Sequence, residues 1–310
     1  MILTICPNPS IDCTIELDNF RVGMLNRLQS KVETYSGKAL NVAIGVSRLN
    51  ECKSFATGFM FKNHAKLFEH SLEKEGVGYS FIYNEGNART NYKIIDKRAM
   101  LTEINDKGET VSRDKQLELI NLVKNLSPEC TCAVMSGSLP SGVEPDFYRE
   151  VLAVIPKHVK VIVDAEKANM DCALKENVFM VKPNLRELEE YANAPLRTKR
   201  DLIKASYGFF DKGVSLVLIS MGEDGAILTN GTKHYFCKSA SVAVNSTVGA
   251  GDCMVAASCV ALENGLPMPE LLRRSVAAGT AAITTVGTNL FYRDKYDEIY
   301  SKISTEELNV

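Results

Sequence analysis

The sequence predicts an α/β fold carried by a mostly parallel sheet, and three observations predict it. Short, nearly continuous apolar runs recur along the chain. Most are followed by a helical pattern. Two stretches read instead as alternating strands with no helix behind them. Continuous apolar runs suit strands covered on both faces, and strand–helix alternation at this spacing belongs to parallel sheets.

The runs can be taken in order. CAVMSG (residues 132–137) precedes a helix expected near Pro145. VKVIVDA (159–165) precedes a short helical stretch, and VFMVKPN (178–184) precedes the helix LRELEEYAN. LVLISMG (216–222) leads into a loop and a further strand, with Asn230-Gly231 as a hairpin turn signal. The two exceptions are residues 10–35 and about 89–104, which contain CTIELDNF and NYKIIDKRAMLTEI. They are read as a small antiparallel β lid inserted into the body. With no repeat, low-complexity segment or linker, residues 1–310 are expected to form a single domain.

Composition narrows the function. The chain is 45% hydrophobic and 24% charged, ordinary values for a globular protein. Its 36 basic and 38 acidic residues leave a net charge of −2, which gives no reason to expect nucleic acid or membrane as a partner. The opening MILTICPNPSID is too polar for a signal peptide. The stretch 277–286 is too short and too rich in Ala and Thr to span a bilayer, and reads as buried helix. Nine cysteines, several inside apolar segments (Cys132, Cys172, Cys253, Cys259), read as reduced core thiols of a cytoplasmic protein. Cys130 and Cys132 form C-x-C with no second pair at metal-binding spacing.

The strongest local signal for chemistry is NSTVGAGDCMVAASCVAL, residues 245–262. Gly249, Ala250 and Gly251 form a small-residue loop, followed at once by Asp252 and an apolar helix pattern. Small residues let backbone N–H groups approach an anion, and a helix N-terminus adds favourable partial charge. A carboxylate there can take a proton from an attacking hydroxyl. It can equally cap the helix, and the segment alone leaves both readings open. A second constellation is YSGKALNVAIGVSRL, residues 35–49. Ser36-Gly37 reads as a tight turn, Asn41 as the start of a helix, and Lys38 as a cation available to a phosphate. Neither a Walker A loop nor an early G-x-G-x-x-G is present.

Together these segments resemble the two signatures of the PfkB, or ribokinase-like, carbohydrate kinase family. NPSID (8–12), SGSLP (136–140), VKPNLRE (181–187) and SMGEDGA (220–226) fit the family in order, so the resemblance covers nearly the whole chain. NPSID, SGSLP and KPN point to its hexose-phosphate branch. The resemblance implies a ribokinase-like three-layer α/β/α fold and ATP-dependent phosphorylation of a ketohexose phosphate. Fructose 1-phosphate to fructose 1,6-bisphosphate is the leading reaction, with tagatose 6-phosphate or fructose 6-phosphate as alternative acceptors. A free-sugar or nucleoside kinase, or a sensor without catalysis, is the remoter alternative.

The resemblance also implies roles. Asp252 would be the base, with Gly249, Ala250 and Gly251 as the anion-binding loop. Asp12, Gly37, Lys38, Asn41 and Ser138 would hold the sugar, and Arg27 and Arg89 its phosphate, both at the junctions of the lid. Lys182, Ser220, Gly222, Gly225, Ala278 and Asn289 would meet ATP. Asn184 and Glu187 would hold Mg2+ through water. A homodimer joined through the lid sheets is implied as well. The chain departs from the family pattern at Ala39, where glycine is common, at Cys253, and in the segment after Gly58, which lacks a glycine-rich run.

Overall fold

The structure is a computed structural model and describes residues 1–97, 100–285 and 289–309. Its strands, in chain order, are β1 (Ile2–Cys6), β2 (Ser10–Leu17), β3 (Ser30–Ser36), β4 (Ser54–Phe61), β5 (Gly78–Asn84), β6 (Arg89–Asp96) and β7 (Leu101–Ile104). There follow β8 (Cys132–Ser136), β9 (Lys160–Asp164), β10 (Met180–Val181), β11 (Leu216–Ser220), β12 (Ala226–Thr229), β13 (His234–Cys237) and β14 (Thr305–Glu307). The main helices are α1 (Lys38–Leu49), α2 (Ala65–Lys74), α3 (Arg113–Leu126), α4 (Asp146–Leu152) and α5 (Lys167–Ala173). They continue as α6 (Leu185–Ala192), α7 (Lys199–Phe210), α8 (Ala250–Glu263), α9 (Met268–Ala282) and α10 (Arg293–Lys302).

A ten-stranded sheet runs in the order β14-β13-β12-β11-β10-β9-β8-β1-β4-β5. From β5 to β11 every neighbouring pair is parallel, and β12, β13 and β14 add antiparallel strands at one side. The central strands β1 and β8 are buried along their whole length, as their continuous apolar runs require. Helices α1, α8, α9 and α10 pack together on one face of the sheet, and α3 to α7 follow one another on the other. This is the expected three-layer arrangement.

Three details differ from the sequence reading. β10 is confined to Met180–Val181 rather than spanning 178–184, because Pro183 has no N–H to pair and the chain turns into α6 at once. The buried helix ends at Ala282 rather than continuing through 283–286; Val286 lies outside the described residues. Helix α1 starts at Lys38, so Asn41 sits within its first turn. Gly37, with φ 151°, makes the turn before it, and a Cβ there would come within 2.7 Å of the Cys6 sulfur. Among the described residues, no helix is long and apolar enough to cross a membrane.

A separate four-stranded sheet has the order β3-β2-β6-β7. Its outer pairings, β2–β3 and β6–β7, are antiparallel, while the central pair β2–β6 is parallel. The connections explain this: β1 leads directly into β2, and β5 leads directly into β6. Since β1 and β5 run the same way through the main sheet, the strands that leave their ends also run the same way.

Candidate active site

The parallel strands deliver polar residues to one end of the sheet. Asp164 closes the apolar run of β9, Lys182 follows β10, and Ser220 closes β11. Ligand sites in open α/β sheets form beyond these carboxyl ends. Here a cleft of about 830 Å³ opens between that end of the sheet and the lid. Its walls include Asp12, Gly37, Lys38, Asn41, Arg89, Ser138, Lys182, Asn184, Glu187, Ser220, Gly249, Gly251 and Asp252.

Helix packing places the central carboxylate. Gly45 of α1 lies so close to Ala256 of α8 that a Cβ on it would be 2.7 Å from the Ala256 Cβ. One turn earlier on both helices, Asn41 and Asp252 meet. Asn41 Nδ2 donates to Asp252 Oδ2 at 2.8 Å, and Ser36 Oγ donates to Asn41 Oδ1 at 3.1 Å. Asp252 makes no side-chain cap to α8, whose N-cap is Gly249 at φ 79°. The capping alternative left open by the sequence therefore does not describe it. Its carboxyl is bonded by Asn41 of α1, and the residue is 6% exposed.

Charge surrounds this carboxyl. Asp164 is buried between two lysines, with Lys182 Nζ at 3.5 Å and Lys38 Nζ at 3.6 Å. Burial opposes ionisation of Asp164, but Lys182 and Lys38 together outweigh it and hold the carboxyl below its ordinary range. The attraction of Asp164 raises Lys38 above the usual lysine range against its own burial. Asp252 is pushed up to about 6, first by burial and also by the Asp164 charge, against the opposing pull of Lys38, the Asn41 hydrogen bond and Lys182. Gly249 and Gly251 at the start of α8 lie on the cleft wall, and the first N–H groups of a helix have no intrahelical partners, a geometry suited to an anion.

The lid supplies the opposite wall. Asp12 pairs with Asn91 across the parallel β2–β6 ladder, and Ser10 with Arg89. Asp12 Oδ1 accepts from Ser10 Oγ at 3.1 Å and Asn91 Nδ2 at 3.2 Å, and Oδ2 accepts from Lys93 Nζ at 2.9 Å. Arg89 donates to the carbonyls of Asp106 and Asn8, each at 3.2 Å, while its Nε is enclosed without a partner. Lys93, Asn91 and Asp164 were not singled out by sequence. Lys93 and Asn91 carry no motif; the available signal was their place, two residues apart, on one face of an alternating strand. Asp164 was signalled only by a charge at the end of an apolar run.

Several expected residues lie elsewhere. Arg27 is exposed in the loop joining β2 to β3, at the far tip of the lid instead of its junction with the body. The reason is strand length: β2 leaves the body at Ser10, and its 8 residues carry the chain roughly 25 Å outward at about 3.3 Å per residue. Ala278 is fully buried within α9 and presents no surface to a ligand. Gly222, Gly225 and Asn289 do not line the cleft. Gly225 instead allows a close crossing, since a Cβ there would lie 2.0 Å from the Cys237 carbonyl oxygen. Ala250 provides backbone to the loop but its side chain is not on the cleft wall.

Asn184 and Glu187 form a reciprocal capping box on α6. Asn184 N–H donates to Glu187 Oε2 at 2.8 Å, and Glu187 N–H to Asn184 Oδ1 at 2.9 Å. No group of three or more His, Cys, Asp or Glu side chains able to hold a metal ion occurs among the described residues. The oxygen donors present, Glu187 and Glu166 on the cleft wall, fit a hard cation that keeps most of its waters.

The family model described as pfkB family carbohydrate kinase matches residues 7–295. A 1-phosphofructokinase from Borreliella burgdorferi is 33% identical over 310 residues, covering 99% of each chain. A tagatose-6-phosphate kinase from Staphylococcus epidermidis is 29% identical over 313 residues, covering 99% of this chain and 100% of that protein. The crystal structure of phosphofructokinase-2 from Escherichia coli in complex with substrates and products superposes with a TM-score of 0.90 at 26% identity, covering 97% of this chain and 98% of that one.

Proposed function

Because this chain belongs to the pfkB family of carbohydrate kinases, phosphotransferases that act on a hydroxyl group, we propose that it phosphorylates fructose 1-phosphate with ATP to give fructose 1,6-bisphosphate. The observation that carries the proposal is Asp252. Its carboxyl is buried, oriented by Asn41, and lies at the start of α8 beside two lysines paired to Asp164. A base near its operating pH and an anion-binding helix start are what transfer of a phosphoryl group to a hydroxyl requires.

The residues divide the work as follows. Asp12, with Ser10, Asn91 and Lys93 behind it, holds sugar hydroxyls from the lid side. Three donors occupy Asp12, so about one of a carboxylate's four or so lone-pair positions remains for the substrate. Arg89 meets the phosphate that the acceptor already carries, with Ser138 nearby on the same wall. Asp252 takes the proton from the attacking hydroxyl. The hydroxyl oxygen bonds to the γ-phosphorus, the bond to the bridging oxygen breaks, and ADP leaves. The N–H groups of Ala250 and Gly251, with Lys38 and Lys182, stabilise the charge on the phosphoryl oxygens. Mg2+, held through water by Asn184 and Glu187, would supply further neutralisation of the nucleotide phosphates.

A homodimer joined through the lids belongs to the same reading. Val22, Met24, Leu25, Leu28, Val32 and Leu101 are exposed on the lid or its tip, an unusual concentration of apolar surface for a monomer. In such a pair the tip that carries Arg27 lies against the other copy.

The preferred acceptor is the finer part of the proposal. The identity of about 30% to relatives named for two acceptors motivates a coupled ADP-release assay. Fructose 1-phosphate, tagatose 6-phosphate and fructose 6-phosphate are compared by kcat/KM. Fructose 1-phosphate is expected to lead. Preference for either of the others would reassign the acceptor, and no turnover with any of them would overturn the reading.

A further inference from the structure

Helix α5 brings one more polar group to the cleft. Asn169 is 7% exposed, and what remains of its surface opens onto the cleft that holds Asp252. Its amide has no hydrogen-bond partner among the described residues. Its amide is not among the enclosed unpaired atoms, so it reaches the cleft, where a bound molecule and not the protein would be its partner. Of the other amides on the cleft wall, Asn41 bonds Ser36 and Asp252, and Asn184 bonds Glu187. Asn91 donates to Asp12 while its Oδ1 is enclosed without a partner, and Asn105 is exposed on the surface. Asn169 keeps both its donors and its acceptor. Apolar Leu139 and Val143 line the same cleft, so an aliphatic side chain would have been an ordinary occupant here.

What would use a free amide follows from its chemistry. A phosphate only accepts hydrogen bonds and is served by the cations Arg89 and Lys38. A sugar hydroxyl both donates and accepts, as an amide does. We propose that Asn169 reads a hydroxyl of the acceptor sugar phosphate and so contributes to which hexose phosphate is preferred. The proposal rests on the kinase reading above. A site built to bond a hydroxyl discriminates against acceptors that present it elsewhere, because the amide is then left unpaired.

The test is steady-state kinetics of wild type, Asn169→Leu and Asn169→Ala, varying sugar phosphate at saturating ATP and then the reverse, together with thermal melts. The expected result is a rise of about tenfold in KM for the preferred sugar phosphate. KM for ATP stays within about twofold, and discrimination among the three hexose phosphates narrows. Asn169→Leu should melt near wild type, since the amide has no protein partner to lose. A merely structural asparagine would show the opposite pattern, with lower melting and unchanged KM. An unchanged sugar KM in a folded variant, or a rise confined to ATP, overturns the proposal. If Asn169→Leu does not fold, Asn169→Ala decides. A wild-type protein inactive on all three sugars would overturn the proposed function and this inference with it, which separates that failure from failure of the Asn169 assignment alone.

Discussion

Asp252 carries two separable expectations. Removing the charge in Asp252→Asn should lower kcat on the order of a hundredfold or more while leaving nucleotide binding intact. Wild-type turnover in that variant would end its assignment as base. The second concerns pH. Its carboxyl is raised to about 6, and a base works only when deprotonated. Activity should therefore be full above that value and fall as pH drops through about 6; a profile flat down to pH 5 would contradict it. Lys93 makes a different point. Lys93→Met leaves the buried Asp12 carboxylate without its cation, which costs about 3 kcal/mol. Adding Asp12→Asn should recover much of that stability in a denaturation curve but not the affinity for the sugar phosphate. If the double variant is no more stable than the single, the two do not form the pair drawn here. Asp252 and Asp12 were legible in the sequence because each sits in a short motif. Lys93 was not, because a lysine in an alternating strand reads as solvated until the partner strand is known. Asn41 was legible as a site residue but not as the group that orients Asp252, since that contact joins residues 211 apart.

Elements position these residues through close packing, and Gly251 tests this. A Cβ there would meet Lys182 at 3.2 Å from Nζ and 3.4 Å from Cε. The neighbour is the far end of a flexible side chain, so Gly251→Ala should fold with little change in thermal midpoint. It displaces Lys182 from Asp164, and KM for ATP should rise roughly tenfold, a loss of about 1.4 kcal/mol. A variant with wild-type ATP kinetics would show that Lys182 does not serve the nucleotide. At this scale the sequence was read well where apolar runs were long, as in β8, β9 and β11. It was read too generously in β10, where a continuous run of apolar residues yields only two paired ones before Pro183. The alternating stretches announced a lid, but not its parallel central pairing. That pairing comes from which strands of the main sheet feed it, and no local pattern encodes it.

For the whole molecule, the exposed apolar residues of the lid motivate the dimer proposed above. A mass near twice the 34.1 kDa chain is expected by light scattering at micromolar concentration. Leu25→Asp combined with Leu101→Lys should give monomers, each side chain being at least half exposed in the single chain. A wild-type monomer with full activity would refute the dimer. Architecture was legible at this scale because six motifs in order fix the plan of the chain, while the acceptor and the assembly depend on surfaces that no single motif encodes. The parallel union of β2 and β6 has a further consequence, for how such a chain can change over evolutionary time. The groups proposed to meet the sugar sit near the roots of the two strands, at every second residue. Lengthening the outer turns moves none of them and costs only about 0.6 kcal/mol per doubling of the loop. Deleting one residue between Cys6 and Asp12 would turn the carboxylate to the opposite face and bring Ile11 or Cys13 toward the substrate. The lid is thus free to grow at its tip and fixed at its base, so lineages built on this plan can acquire new surfaces for partners without disturbing the chemistry beneath.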